Sequence, residues 1–314
     1  MDRRQFITES AKGWLAFSAA SSLTCSGGQS GTIPRRTLGR TGEKLSLIGF
    51  GGIVVRDVEQ AVANDYVARA YDRGVNYYDV APTYGDAEDR LGPALAPYRK
   101  NCFLACKTTQ RDRAGAEKEL HESLKKLQTD HFDLYQLHAL SKIEDVERAF
   151  GPGGAMEVFL KARQEGVVRY LGFSAHSEEA ALLAMEMHDF DSTLFPVNFV
   201  CWHKGHFGPR VVEKAREKGM GILALKALAL SRIPRGEERP YDKCWYRPNE
   251  DEVLQGLALR FTLGKFATAA VPPGEPKFFW RALDLAGRIE ALNETEDEKL
   301  RGALEGAEPI FRSA

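Results

Sequence analysis

A carboxylate, a phenol, an ammonium and an imidazole stand at the ends of three successive apolar runs of this chain. The first run closes as Tyr77-Tyr78-Asp79-Val80-Ala81-Pro82-Thr83-Tyr84-Gly85. The second closes as Leu104-Ala105-Cys106-Lys107-Thr108, the third as Tyr135-Gln136-Leu137-His138. A phenol ionises near pH ~10 and exchanges protons poorly at neutral pH. An ammonium beside it favours the phenolate and lowers that value. A carboxylate would hold the ammonium in place and offset the cost of burying it. Asp79, Lys107 and Tyr84 are therefore expected to form a tuned general acid, with His138 orienting a carbonyl by a hydrogen bond.

These groups meet only if the three runs are strands whose ends lie side by side. Eight such runs occur: Leu47–Gly52, Val75–Ala81, Cys102–Thr108, Phe132–His138, Arg169–Ala175, Leu194–Phe199, Gly221–Leu228 and Thr268–Pro272. Each is bounded by Gly, Pro or a polar turn, and amphipathic segments lie between them. Gly115–Leu127 carries Ala116, Leu120, Leu124 and Leu127 at helical spacing. Glu178–Met187, Pro209–Lys218 and Glu250–Leu263 read the same way, the last with Asn249 as its cap. Strands alternating with helices call for parallel strands joined by helical crossovers, and eight of them make a (β/α)8 TIM barrel. The open doubly wound sheet usually shows Gly-x-Gly-x-x-Gly after its first strand. Gly49-Phe50-Gly51-Gly52-Ile53 lacks that pattern. Arg35–Ser46 reads as a hairpin capping the closed end, and 229–248 as a long loop beyond the seventh strand. In such a barrel the chemistry sits at the C-terminal strand ends, where Asp79, Lys107 and His138 fall.

Composition narrows the classes. The 314 residues hold 43 Lys+Arg against 44 Asp+Glu, so no broad basic field exists to grip a nucleic acid. Hydrophobic residues make up 43%, enough for a large core. The five cysteines are odd in number and form no Cys-x-x-Cys pair, which argues against a disulfide scaffold and a structural zinc site. His203 and His206 are three apart with no obvious third ligand, so no metal is expected. No apolar stretch reaches the ~20 residues of a membrane span.

The stretch Gly74–Gly85 resembles the signature of the aldo-keto reductases. Arg36-Thr37-Leu38-Gly39-Arg40-Thr41-Gly42, Gly49-Phe50-Gly51-Gly52, Cys106-Lys107-Thr108 and Leu137-His138 add to the likeness, which runs over about 35–275. The resemblance implies an NAD(P)-dependent reductase of aldehydes or ketones on a single-domain barrel. It gives Tyr84 the proton, Lys107 and Asp79 its tuning, and His138 the substrate. It further implies that polar groups after the fifth strand and on the sixth hold the nicotinamide carboxamide. Ser174 and Asn198 fall there, although Ala175 replaces a common Asn. Leu225 or Lys226 takes the place of a stacking tyrosine, and Lys226 is open to cofactor phosphate or to capping the rim. Gly274, before a helix start, suits a phosphate. Lys277, with Arg281 one turn on, is nearest to a 2′-phosphate site, and NADP(H) is expected over NAD(H). Trp202, Trp245 and Tyr246 are candidate walls of a substrate pocket, the last two being open also to a packing role. No Cys follows Cys244, so an iron–sulfur cluster of the kind some members carry is not expected.

Residues 1–30 are set apart from the barrel, 31–314. Arg3-Arg4-Gln5-Phe6-Ile7, the weakly apolar Trp14–Ala20 and a Ser/Gly exit resemble a bacterial twin-arginine export signal. That implies the twin-arginine machinery as a partner and a periplasmic or otherwise exported protein, with Cys25 a weaker candidate for lipidation. Export of a folded chain lets the nucleotide be loaded first and travel bound. The alternative function is a catalytically weak, cofactor-sensing barrel acting as a regulatory partner protein.

Overall fold

The computed structural model describes residues 32–313, position 266 excepted; the expected signal segment and Cys25 lie outside the described residues. The chain enters through a hairpin of β1 (Arg35–Thr37) and β2 (Lys44–Ser46), antiparallel as the sequence suggests. Then follow β3 (Phe50–Gly51), α1 (Gln60–Asp72), β4 (Tyr77–Asp79), α2 (Ala87–Leu95), β5 (Phe103–Thr108) and α3 (Arg113–Lys126). Next come β6 (Phe132–Leu140), α4 (Ile143–Phe150), α5 (Ala155–Gln164), β7 (Val168–Ala175), α6 (Glu178–Met187) and β8 (Ser192–Pro196). The final third holds α7 (Phe199–His203), α8 (Pro209–Glu217), β9 (Gly221–Leu225), β10 (Ala229–Ser231), β11 (Arg247–Pro248) and α9 (Glu252–Lys265). It ends with β12 (Ala269–Val271), α10 (Pro276–Leu285) and α11 (Glu294–Gly302).

Eight parallel strands, β3 to β9 and β12, form one sheet. Its two edges meet, because Gly49 N–H donates to Ala270 O and Ala270 N–H to Leu47 O, both at 2.9 Å. The expected barrel is therefore the observed one. Strands buried on both faces need continuous apolar runs, and all six residues of β5 are buried. Inside the ring, Leu45, Tyr77, Phe103, Leu134, Leu194 and Leu223 pack on one another. Outside it, helices turn their apolar stripes inward, as α3 does with Ala116 and Leu120. Asp112 starts that helix by accepting Gly115 N–H at 2.9 Å, and Ser177 starts α6 through Ala180 N–H at 3.2 Å.

The hairpin plugs the closed end. Gly39 has φ +48°, and a Cβ there would lie 2.3 Å from Gly221 N. Arg40 fastens the plug to Asp189 O at 2.8 Å and to Lys218 O at 2.9 Å.

Two expected boundaries move. The sixth barrel strand stops at Pro196 rather than Phe199, because Asn198 caps α7 by accepting Cys201 N–H at 2.7 Å. At α9 the cap is Asp251, whose carboxylate accepts Leu254 N–H at 2.8 Å, while Asn249 accepts from Asp251. Among the described residues no helix is long and apolar enough to cross a membrane.

Candidate active site

β4 delivers Asp79, the turn after it delivers Tyr84, β5 delivers Lys107 and β6 delivers His138. Lys107 Nζ donates to Asp79 Oδ1 at 2.5 Å and to Val80 O at 3.0 Å. The second carboxylate oxygen accepts from Tyr77 Oη at 3.1 Å and from Gln136 Nε2 at 3.4 Å. Lys107 and Asp79 are 0% and 1% exposed, so the pair must be internally complete to be tolerated. The Tyr84 ring centroid lies 5.2 Å from Lys107 Nζ and 5.7 Å from the His138 ring, edge to face. The four residues read from the sequence thus form one contiguous cluster.

Its electrostatics depart from the simplest expectation. Burial pushes the Tyr84 phenol above its ordinary value; Lys107 pulls it back, and Asp79 adds to the rise. The net direction is up, so the ammonium limits the rise instead of producing a fall. Burial works against the charge on Lys107, but Asp79 and Tyr84 outweigh it and its pKa is raised. His138 is pushed down to about 2, first by burial and then by Lys107, so its ring is neutral at working pH. Its Nδ1 is buried without a protein partner.

The backbone around His138 is held on both sides. Arg111 donates to His138 O at 2.7 Å, and Ala139 N–H donates to Ser174 Oγ at 2.7 Å. Ala139 has φ +55°, a conformation uncommon outside glycine. Ser174 therefore fixes the kink beyond His138 and keeps its own hydroxyl proton to donate.

A cavity of about 200 Å³ opens over this cluster. Asp79, Tyr84, His138, Ser174, Lys226, Trp245, Tyr246 and Gly274 all line it. The loop between β10 and β11 crosses the mouth. Lys243 N–H donates to Glu275 Oε1 at 2.9 Å, Lys243 Nζ to Val54 O at 3.1 Å, and Arg56 to Asp242 O at 3.1 Å.

Three residues expected at the site are placed elsewhere. Asn198 is absent from the lining: Nδ2 donates to Lys226 O at 3.0 Å and to Ala229 O at 2.8 Å, while Oδ1 caps α7. Both amide hydrogens of Asn198 are thereby taken up by the backbone. Trp202 packs edge to face on Phe261 of α9, 6.0 Å between centroids, outside the lining. Lys277 is exposed, bonded to Tyr241 and 3.6 Å from Glu250, while neighbouring Arg281 pairs with Glu252 at 2.8 Å. Gly274 does line the cavity, but packing explains it. A Cβ there would fall 2.3 Å from Ile53 Cγ2. Among the described residues no group of three metal-ligating side chains occurs.

Two lining residues escaped the sequence reading. His176 stacks on Phe311, 5.1 Å between centroids, and burial then Lys226 bring it down to about 4. Its position directly after Ser174-Ala175 was the available signal. Lys243 arrives from the long loop, and no local pattern marks it.

The aldo/keto reductase family model matches residues 47–298. The chain belongs to the aldo/keto reductase family. It is 30% identical over 162 residues to L-galactose dehydrogenase of Arabidopsis thaliana, across 45% of this chain and 48% of that one. It is 27% identical over 261 residues to the aldo-keto reductase str7 of Strobilurus tenacellus, across 80% and 69%. The chain spans about half the length of the curated relatives it matches at 30% identity. An aldo-keto reductase of Bacillus halodurans, solved in its holo form, superposes with TM-score 0.68 at 21% identity, over 88% of this chain and 98% of that one. The family is one of oxidoreductases that generally bind NAD(P)H, on the barrel described above.

Proposed function

We propose that the protein reduces an aldehyde or ketone to the alcohol, or runs the reverse, with Tyr84 as proton donor. One observation carries this: Lys107 bridges Asp79 and Tyr84 beneath a cavity into which Tyr84 and a neutral His138 both face. In reduction the Tyr84 hydroxyl proton goes to the carbonyl oxygen, and Lys107 stabilises the phenolate left behind. His138 donates a hydrogen bond to the same oxygen and, being uncharged, keeps its proton. Asp79 holds Lys107 in place. A bound nicotinamide supplies the hydride that completes the alcohol C–H bond.

The residues present suit that cofactor in part. Ser174 retains a hydroxyl proton for a carboxamide oxygen. Lys243 in the cavity lining, with Arg56 nearby, brings positive charge for a phosphate of the NADP(H) this reading takes as cofactor. This reading keeps Ser174 in the role expected of it and adds Lys243, while Asn198 and Lys277 bond to other residues.

Titration of the chain from residue 31 onward with NADPH and NADH, followed by tryptophan quenching, tests the reading. Tight NADPH binding and turnover of an aldehyde panel, lost in Tyr84→Phe, are expected. Absence of binding by either nucleotide would overturn it.

The same reading includes export in folded form through the twin-arginine machinery, supported by Arg3-Arg4-Gln5-Phe6-Ile7 and the apolar run after it. Export makes the protein periplasmic. Fractionation of cells expressing the full chain and an Arg3→Lys/Arg4→Lys variant tests this; equal distribution of the two would overturn it.

A further inference from the structure

Within the cavity the charges do not balance. Lys107 is matched by Asp79, and Lys243 is held by Val54 O with the Glu275 carboxylate beside it. Lys226 has no such partner: among the described residues no carboxylate pairs with it. Its Nζ sits 5.4 Å from the Trp245 ring centroid and 5.5 Å from that of Tyr246, an arrangement that steadies a cation without neutralising it.

The chain maintains this placement at a cost. Lys226 has φ +65°, strained for a lysine, and strain of this kind persists only where the surroundings impose it. Here Lys226 O accepts Asn198 Nδ2 at 3.0 Å and Ala229 N–H at 2.8 Å. The buried Asn198 thus acts as a positioning residue for the turn that carries Lys226.

Lys226 and Lys243, both in the cavity lining, have different charged neighbours. The charged groups acting on Lys243 are Glu275, Arg56, Asp57 and Asp86. Those acting on Lys226 include Lys107 and Asp79, and Lys226 in turn acts on His138 and His176. Lys226 therefore lines the same cavity as Tyr84 and His138, the groups that must touch the reacting carbonyl. A dinucleotide's phosphates are separated from its nicotinamide by a ribose, whereas a substrate can carry its anion next to the carbonyl.

We propose that Lys226 is the anion-recognition residue of the substrate pocket, and that the substrate is a carbonyl compound bearing a carboxylate. This rests on the reductase reading for the identity of the reaction, but not for the binding it predicts. Burial brings the Lys226 ammonium down to about 8, so it is charged at neutral pH and close to release. The other groups facing it do not change charge between pH 7 and 9. Lys107 is raised and paired, His138 and His176 are neutral, and the thiols of Cys201 and Cys244 are pushed up by burial.

The test uses the protein with saturating NADP⁺, so that no reduction occurs. 4-Carboxybenzaldehyde and its neutral methyl ester are titrated, with Trp245 fluorescence as the signal. The carboxylate should bind at least tenfold more tightly than the ester at pH 7, and the difference should fade as pH rises through 8. Lys226→Met should abolish the difference and Lys226→Arg should retain it. A difference that survives in Lys226→Met overturns the proposal. So does a Lys226→Met variant whose only loss is in NADP⁺ affinity, which would assign Lys226 to the cofactor. The readout is binding, so a carboxylate preference with no turnover of any aldehyde upholds the Lys226 site and removes the reductase reading.

Discussion

Ser174 Oγ lies 2.7 Å from the backbone nitrogen of Ala139, the residue that follows His138 in a left-handed turn. One hydroxyl on β7 thereby sets the direction in which β6 presents its imidazole. Ser174→Ala leaves a half-buried N–H without its acceptor, a loss of about 1–3 kcal/mol. Adding Ala139→Gly to that variant should return about 1 kcal/mol, because glycine meets no penalty at positive φ. Urea unfolding of the two variants checks this. No recovery by glycine would mean that the turn carries no strain.

Lys107→Met removes the partner of a buried carboxylate. Stability should fall by about 3–5 kcal/mol, and kcat by about 10²–10⁴. With the lowering influence of Lys107 gone, the Tyr84 phenol rises further. Alcohol oxidation, which needs the phenolate, should then show its alkaline limb at higher pH than in wild type. Changing Asp79→Asn in the same chain removes the stranded charge. The double variant should regain stability without regaining turnover, as thermal melts and steady-state rates would show.

His138 and His176 are both held neutral in the folded chain, at about 2 and about 4 against 6.5 ordinarily. Below pH 6.5 the unfolded chain takes up protons that the folded chain refuses. Stability is therefore complete above that value and is lost as pH falls toward the folded values. At pH 5 the loss should be at most about 2 kcal/mol per histidine. His176→Gln should flatten part of that decline in a series of melts from pH 7.5 to 4.5. An unchanged slope would place the proton uptake elsewhere.

The closed end can be damaged without touching the chemistry. Gly39→Ala drives a Cβ into Gly221 at positive φ. A cost of about 1–3 kcal/mol from overpacking, with about 1 more from the backbone, should appear as a lower Tm. Kinetic constants of the folded fraction should match wild type. A raised KM would show that the plug and the mouth communicate.

Much of this architecture was written in runs of residue type. Parallel strands buried on both faces must be apolar throughout, so a lysine or aspartate interrupting one announces itself; Lys107 and Asp79 did. Asn198 is hard to place from sequence because a strand-end ligand and a helix cap look alike there, and the stop at Pro196 is what makes it a cap. Trp202 lies on the short helix that follows and turns toward Phe261, a direction fixed by the displaced boundary. Lys277 and Arg281, the residues expected nearest to a 2′-phosphate, are reached by Glu250 and Glu252 from α9 and its approach. Lys243 enters the cavity lining, and Phe311 packs behind His176 and Trp245, from segments remote in the chain, so no local spacing points to them.

The seam between Leu47–Gly49 and Ala270 joins the first and last stretches of the ring. Contacts so distant along the chain are made late, after the cost of closing a long loop has been met. Until β12 arrives, the nascent sheet carries two raw edges, each with unpaired backbone groups open to another copy. A shortened chain that lacks β12 should therefore accumulate as aggregate rather than as a smaller folded unit, because what it loses is the closure itself.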